Sequence, residues 1–322
     1  MNSRRVFLHA LAGGLAVASF AHAQPVRRVP TVGFLTLGGV DSLAQFRDAM
    51  RNFGYIEGHD LAIERRSSEG TVAVLPKLAA ELVQLDVNVI YATGPAAVKA
   101  AHEATQRIPI VALDLETDPV ASGLVRSLGR PGGNVTGLFL DQPALAGKWL
   151  ELLTEILPGR RRIVALWDVA TGAPQLAAAR SAAKRFGVDL RTVEFSTRDE
   201  LVQKLRQAPD GGTQAIVMLT SPIVSVNSAL IAEWTRQNRM PAISPFRAFA
   251  EGGGLLSYGP DLVAFRRISA AYVDKILKGA NVAELPVQQP TLFQLVVNQK
   301  TAKALGIAIP QSLLLRADEV IQ

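Results

Sequence analysis

Residues 91–114 read YATGPAAVKAAHEATQRIPIVALD. An apolar run ends at Thr93, a Gly-Pro step opens an alanine-rich stretch with helical spacing, and a second apolar run ends at Asp114. This order predicts a strand, a helix and a second strand, which is a βαβ unit. Residues 218–244, MLTSPIVSVNSALIAEWTRQNRMPAIS, repeat the pattern. Each copy has Thr-x-Pro where a strand meets a helix, the edge at which open α/β sheets bind ligands.

The same alternation continues along both halves of the chain. Apolar runs alternate with amphipathic stretches up to residue 128, and the alternation begins again after the glycine-rich bend RPGGN at 130–134. Alternating strands and helices predict a parallel sheet with helices on its faces. The expected fold class is therefore α/β, with two Rossmann-like parallel-sheet lobes whose loop edges face a shared cleft.

The end of the chain adds further strands and helices to these sheets and does not start a third domain. The chain then crosses between lobes near residues 133–137, 250–254 and 285–290, and we expect these three crossings to form a hinge. The predicted lobes are 29–135 plus 251–284 and 136–250 plus 285–322. Glycines at the first two crossings suit a bending linker, although ordinary turns explain them equally well.

The first 23 residues have the three parts of an export signal. Arg4 and Arg5 precede an apolar stretch that runs to about Phe20, and Ala21-His22-Ala23 matches an A-x-A cleavage site. The order Ser-Arg-Arg-x-Phe-Leu is similar to a twin-arginine signal. We expect cleavage after Ala23 and a soluble periplasmic protein. An ordinary first helix or a retained anchor is the alternative.

The composition argues against several classes of function. The chain has no cysteine, and of its four histidines His9 and His22 belong to the export signal. The remaining His59 and His102 cannot build a His-rich zinc site, and no nucleophile-elbow, phosphate-loop or GxGxxG motif occurs. The net charge of +6 is scattered along the chain and does not form a basic face for nucleic acid. We therefore expect no metal, no cofactor, no nucleic-acid partner and no catalysis.

Several long motifs are similar to one known family. They are FGYIEGHDLAIERR at 53–66, DPVASGLVRSLGRPGGNVTGL at 118–138, LAGKWLELL at 145–153, AFAEGGGLLSYGPDL at 248–262 and AAYVDKILKGANVAELPVQQPTLFQLVVNQKTAKALGI at 270–307. They resemble the ABC-transporter substrate-binding protein family, in the branch that includes binders of tryptophan and related amino acids. The resemblance spans nearly the whole chain. It implies a type-I periplasmic binding fold that captures a small solute and delivers it to an inner-membrane ABC permease.

The ligand contacts of such a cleft are expected at helix N-termini, where unpaired N–H groups and the helix dipole attract an anion such as a carboxylate. On the first half of the chain the candidates are Thr36, Gly38, Thr93, Gly94, Pro95, Asp114 and Asp118. On the second half and its later crossing they are Asp141, Trp167, Thr220, Ser221, Phe246, Arg247 and Tyr258.

These candidates have different expected roles. Thr93 is the best candidate for a hydroxyl contact, although it can equally cap a helix. The position of Asp118 directly before a proline favours a role as a cap alone. Asp114 can meet a ligand ammonium or form a hydrogen bond at the hinge. The aromatic candidates are expected to add apolar contact, because polar contacts alone supply too little free energy for micromolar binding.

Two loops depart from the family's amino-acid-binding members. Those members carry an Asp-Asn pair in the first of these loops and another Asp in the second, and these residues hold the amino acid's charged groups. This chain has Ser221-Pro222-Ile223 and Ser244-Pro245-Phe246-Arg247 there. The loss of acceptors and the added arginine favour a neutral or anionic solute, with an amino acid left open. Tryptophan is therefore not assigned to this chain.

Three alternatives remain at this point. The first is a sensory module of the same fold that feeds a receptor kinase. The second is a transcription-regulator domain, which needs a DNA-binding motif at the position of the export signal. The third is a periplasmic hydrolase that uses paired carboxylates in the cleft. A monomer is expected, because one lobe surface must face a permease, and a dimer stays open.

Overall fold

The computed structural model describes residues 29–38, 40–140, 142–207, 212–289 and 291–322. The predicted export signal and the predicted site residue Asp141 therefore lie outside the described residues. Within these ranges, no helix has the length and apolar character that crossing a bilayer requires.

The first sheet is formed by β1 (Thr31–Thr36), β2 (Ala62–Ser67), β3 (Val89–Thr93), β4 (Ile110–Asp114) and β5 (Val135–Phe139). These strands are all parallel, in the order β2-β1-β3-β4-β5. The helices packed on this sheet are α1 (Val40–Arg51), α2 (Leu75–Gln84), α3 (Pro95–Ala104) and α10 (Leu262–Leu277). We call this unit the first lobe. Its central strands are buried because helices cover them on both faces.

The second sheet contains β6 (Arg162–Asp168), β7 (Asp189–Phe195), β8 (Ala215–Met218), β9 (Ala242–Ser244), β10 (Leu256–Pro260), β11 (Phe293–Asn298) and β12 (Glu319–Ile321). Its order is β12-β11-β10-β9-β8-β6-β7, and among these neighbours β10 and β11 pair antiparallel. The accompanying helices are α4 (Gln142–Ile156), α5 (Ala173–Phe186), α6 (Arg198–Arg206), α7 (Pro222–Val226), α8 (Ser228–Gln237), α9 (Arg247–Glu251), α11 (Gln299–Leu305) and α12 (Gln311–Leu314). This unit is the second lobe. The two lobes confirm the predicted α/β fold class.

Two strands lie in different sheets from those that the predicted boundaries give them. The boundaries place residues 136–250 in the second lobe, but β5 pairs with β4 in the first sheet. They also place residues 251–284 in the first lobe, but β10 pairs with β9 and β11 in the second sheet. The chain therefore changes lobes between β5 and α4, between β10 and α10, and after Gln288.

The glycines that suggested bending linkers serve close packing. Gly137 lies inside β5 with φ +127°, and a Cβ there would stand 2.2 Å from the Ala112 carbonyl oxygen on β4. A Cβ on Gly254 would stand 2.1 Å from the Phe249 ring. Both positions need glycine because a neighbouring group occupies the space of a side chain. These glycines therefore do not mark the crossings between lobes, and the first two crossings lie farther along the chain.

The segments that join the lobes are hydrogen-bonded to one another. The Phe139 N–H at the end of β5 donates to the Gln288 carbonyl at 3.0 Å. The Asp261 N–H donates to the Leu292 carbonyl at 3.1 Å, and Asp261 Oδ2 accepts a bond from Gln294 Nε2 at 3.0 Å. Asp261 also caps α10 through Oδ1. One side chain therefore connects the start of α10 to the third crossing.

Candidate functional site

The carboxyl-terminal ends of the two sheets face each other across a cleft. The cleft encloses about 550 Å³ of empty space, counting its open mouth, which suits a small-molecule site. The first lobe lines it with Thr36, Leu37, Gly38, Ser42, Thr93, Gly94, Leu113, Leu115, Glu116, Leu262 and Arg266. The second lobe lines it with Pro222, Ser225, Val226 and Phe246.

Hydroxyl groups line the first-lobe wall at the ends of β1 and β3. Thr93 Oγ1 donates to Thr36 Oγ1 at 3.0 Å, and Thr36 Oγ1 donates to the Gly38 carbonyl at 3.0 Å. The Gly38 N–H donates back to Thr36 Oγ1 at 3.3 Å. Because parallel neighbours end in register, Thr36 and Thr93 are paired residues in the ladder. The wall is therefore a fixed polar surface.

Gly94 lies between Thr93 and α3, where the two lobes approach each other. Its φ of +86° is a left-handed conformation that favours glycine. A Cβ at this position would stand 3.2 Å from Pro222 Cγ of the second lobe. Pro95 occupies the first turn of α3, and no side chain caps this helix. The uncapped start of α3 thus lies at the cleft.

The second-lobe wall is mostly apolar and is built around α7. Val226 is 46% exposed although it is aliphatic, and the buried Phe246 also lines the cleft. On the first lobe, Leu113 and Leu115 bring further apolar surface to the same space. A solute in this cleft would contact hydroxyls on one side and hydrocarbon on the other.

Two charged side chains from the first lobe line the cleft. Arg266 projects from α10 and is half-buried, and its Nη1 donates to Gln45 Oε1 on α1 and to the Leu262 carbonyl. Glu116 follows β4, is also half-buried, and accepts a bond from the Leu115 N–H at 3.2 Å. Burial, the neighbouring Asp114 and the more distant Asp168 raise the pKa of Glu116 well above its usual range.

Asp114 and Asp168 are buried carboxyls that brace the loops beside the cleft. Asp114 Oδ1 accepts bonds from the Glu116 and Thr117 N–H groups at 2.9 and 3.1 Å. Asp168 Oδ1 accepts from the Ala170 N–H, and Asp168 Oδ2 accepts from Ser221 Oγ at 2.6 Å. Burial raises the pKa of both carboxyls, and these hydrogen bonds partly oppose it.

The predicted candidates divide into those that line the cleft and those that do not. Residues that line the cleft are Thr36, Gly38, Thr93, Gly94 and Phe246. Pro95, Asp114 and Ser221 are adjacent in sequence to lining residues, and Thr220 precedes Ser221, but none of the four is part of the lining. Gln175 holds the backbone of Thr220 on both sides, while the Ser221 hydroxyl caps α7.

Four other candidates have structural partners away from the cleft. Arg247 pairs with Glu251 and Glu319 on the surface, so it is not placed to attract an anion into the cleft. Asp118 is exposed and caps a turn through the Val120 and Ala121 N–H groups, which is the capping role that its sequence favours.

The two remaining aromatic candidates also lie outside the cleft lining. The Trp167 indole donates to the Gly172 carbonyl at 3.2 Å. The Tyr258 ring stacks on Phe293 at 5.9 Å, and its backbone carbonyl accepts from the Trp149 indole. Neither ring adds apolar surface to the cleft.

Arg266 and Glu116 were not among the predicted candidates. Glu116 follows the same strand end as Asp114, so the strand-end rule could have included it. Arg266 is the fifth residue of a long amphipathic helix, where an arginine is usually a solvated surface residue. Among the described residues, no group of three or more potential metal ligands comes together.

A scan against protein families matches residues 39–321 to the family described as ABC transporter substrate binding protein. A tyrosine-binding protein of Clostridioides difficile strain R20291 is 25% identical over 268 residues, which are 81% of this chain and 75% of that protein.

Solved structures share the fold. A conserved domain protein from Vibrio cholerae superposes with a TM-score of 0.82 at 26% identity, covering 91% of this chain and all of that one. An ABC domain from Streptococcus pneumonia, solved in complex with L-Trp, superposes with a TM-score of 0.81 at 24% identity and covers 91% of this chain and 99% of its own. These likenesses agree with the two-lobed arrangement described above.

Proposed function

This chain belongs to the ABC transporter substrate-binding protein family, and we propose that it closes its lobes over a small solute in the described cleft and delivers that solute to an inner-membrane permease. The family is one of binding proteins and does not catalyse covalent chemistry. Transfer to a permease follows from the way an importer works and is part of the proposal.

The observation that carries the proposal is the construction of the cleft from two facing sheet edges. Thr36, Thr93 and Gly94 from one lobe lie opposite Pro222 and Val226 from the other. Since the lobes are joined by three crossings, a change in their angle opens or covers this space. A ligand that contacts both walls would favour the closed arrangement by its preference for that state.

We propose an amino acid as the solute. The tyrosine-binding relative and the complex with L-Trp support this class. The sequence favours a neutral or anionic solute because two loops lose acidic acceptors and gain Arg247, but that guanidinium is paired on the surface with Glu251 and Glu319. Among the described lining residues, Arg266 is the cation, and it can meet a carboxylate together with the uncapped start of α3.

Contacts with the apolar wall can supply the binding free energy that the polar contacts lack. Micromolar affinity needs about 8 kcal/mol, whereas a charge-assisted hydrogen bond contributes roughly 1.5 to 3. Contacts with Leu115, Val226 and Phe246 must therefore supply a substantial part. This favours an amino acid with a large apolar side chain over a small polar one.

A thermal-shift series with the twenty L-amino acids tests the proposal. A ligand at 100 times its dissociation constant stabilises the native state by about 2.7 kcal/mol, so a true solute should raise the melting temperature by several degrees. Arg266→Gln should weaken that response, while the matched variant Arg247→Gln should keep it. A protein that responds to no amino acid and to no member of a wider solute library contradicts the proposed function.

We also propose that the chain acts in the periplasm after its signal is cleaved at Ala23. The basic start and the A-x-A site support this step. Protein recovered from the envelope of an expressing Gram-negative cell should begin at Gln24 by intact mass. Replacing Arg4 and Arg5 with lysine should abolish export if the twin-arginine route is used and leave it nearly unchanged on the general route. Recovery of only full-length protein would contradict cleavage.

A further inference from the structure

The cleft has carboxyl groups on the loop that follows β4. Glu116 lines the cleft, with the carboxyl of Asp114 beside it on the same loop and Asp168 farther off on the second lobe. Of the residues that the structure describes, no lysine or arginine contributes to the pKa of any of these three carboxyls. Buried carboxylates are normally paired with a cation or fully hydrogen-bonded.

Asp114 is a second, fully buried carboxyl on this loop, and the Thr117 side chain and backbone lower its pKa against the effect of burial. Its side chain is 0% exposed, and its Oδ1 is satisfied by two backbone N–H groups of its own loop. Its Oδ2 is buried and has no partner at hydrogen-bond distance within the described part of the chain. The strand and loop residues on either side, Leu113 and Leu115, both line the cleft.

Arg266 is the cationic side chain among the described residues that line the cleft. Arg266 enters from α10, where Gln45 and the Leu262 carbonyl hold its guanidinium. Arg266 and Glu116 both line this cleft, and Arg266 is not among the described groups that shift the pKa of Glu116. The remaining lining residues of the second lobe, on α7 and before α9, are not titratable. The described lining of the cleft therefore carries one guanidinium and one carboxyl group, both from the first lobe.

We propose that Glu116, supported by Asp114, forms a cation subsite in the first lobe that receives the ammonium group of the solute. The inference rests on the proposed capture of an amino acid and specifies how its two charges are arranged. The carboxylate lies toward Arg266 and the start of α3, and the ammonium lies toward Glu116. In this chain the ammonium contact comes from the loop after β4, and not from the second-lobe loops that hold Ser221 and Phe246.

This arrangement couples binding to protons. The titratable groups that act on Glu116 are Asp114 and Asp168, which disfavour its ionised form, and Arg266 is the other titratable side chain among the described lining residues. An arriving ammonium stabilises the ionised form and lowers the pKa of Glu116. Below the pKa of the free protein, binding then releases a proton from Glu116, and affinity falls as the pH is lowered.

Matched probes with and without the amino group test the subsite. L-Tyrosine and L-tryptophan are compared by isothermal titration with 3-(4-hydroxyphenyl)propionate and 3-indolepropionate. Wild-type protein should bind the amino acids at least tenfold more tightly. Glu116→Gln should lower amino-acid affinity by at least tenfold and change the affinity for the propionates less than threefold. Glu103→Gln, on the outer part of α3, is the matched control and should change neither.

Titrations in buffers of different ionisation enthalpy add a readout that a structural role would not affect. Wild-type protein should release protons on binding the amino acids at mildly acidic pH, and Glu116→Gln should not. Equal affinity for amino acid and propionate, or the same proton release in both proteins, overturns the subsite while solute capture stands. A protein that binds only the propionates also overturns it. Failure of every probe and of the wider solute library contradicts the proposed function itself.

Discussion

At the scale of single residues, Glu116 should be a liability to the unliganded protein. Burial and Asp114 raise the pKa of Glu116 in the folded state. The contribution of Glu116 to folding stability is therefore fully present below the unfolded pKa near 4.5, and it is lost as the pH rises through the folded pKa. Glu116→Gln cannot ionise and avoids this loss. The variant should melt above wild type at neutral pH, and the difference should disappear at about pH 4.

Denaturant unfolding of ligand-free protein at both pH values checks this prediction. Glu103→Gln again serves as the control, because Glu103 forms an exposed ion pair with Lys99 and such pairs contribute about 0–1 kcal/mol. A Glu116→Gln variant that is less stable than wild type at neutral pH would show that its carboxylate is stabilised by an internal partner.

Part of the site could be predicted from residues alone. Thr36, Gly38, Thr93 and Gly94 were identified because polar residues at parallel strand ends share one sheet edge, and the structure brings them together. Arg247 met the same rule but forms surface ion pairs, since nothing in its local sequence specifies the partner Glu319 far along the chain. Arg266 was not predicted as a site residue because its place at the cleft depends on how α10 packs against α1, which its local sequence does not show.

At the scale of elements, a substitution in the turn into α3 should affect both the stability of the fold and the closure of the lobes. A matched substitution elsewhere should affect stability alone. Gly94→Ala introduces a side chain at φ +86°, which costs about 1 kcal/mol, and places a Cβ 3.2 Å from Pro222. Gly54 also has φ +86°, and a Cβ added there would meet no atom within 4 Å, so Gly54→Ala places a side chain at positive φ without a contact between lobes. Both variants should lose stability, but only Gly94→Ala should bind the solute more weakly.

Chemical denaturation and ligand titration of the two variants measure these effects. Equal affinities in Gly94→Ala and wild type would mean that the close approach of Gly94 to α7 makes no contribution to ligand binding.

Most elements could be predicted because each strand and helix carries its own periodicity. The βαβ unit at 91–114 corresponds to β3, α3 and β4. The exchange of β5 and β10 between lobes was missed, since an apolar run identifies a strand but does not encode its neighbour. The predicted lobe boundaries near Gly137 and Gly254 differ from the observed ones because glycine occurs both in close packing and at bends, and the sequence does not distinguish the two.

At the scale of the whole molecule, the cleft can be locked by chemistry that the chain otherwise lacks. A Cβ on Gly38 would stand 3.9 Å from Val226 Cγ1 across the lobes, and the chain has no cysteine. A Gly38→Cys, Val226→Cys double variant should form a disulfide, faster when solute is present because ligand favours the closed lobes. The oxidised form should exchange solute far more slowly and recover on reduction.

Non-reducing gel mobility and solute dissociation rates follow this experiment. The two single-cysteine variants are the controls for crosslinks between molecules. A crosslink whose rate is indifferent to a solute that binds would mean that the lobes do not move on binding.

The way the chain crosses between lobes also bears on synthesis. Helix α10, which packs on β3, β4 and β5, is encoded about 120 residues after the end of β5, and the second sheet takes β11 and β12 from later still. Neither lobe is therefore a contiguous stretch that could mature while the ribosome is still making the other. The whole polypeptide must be available before either half is complete, so the nascent chain passes through a long interval in which both sheets lack part of their cover.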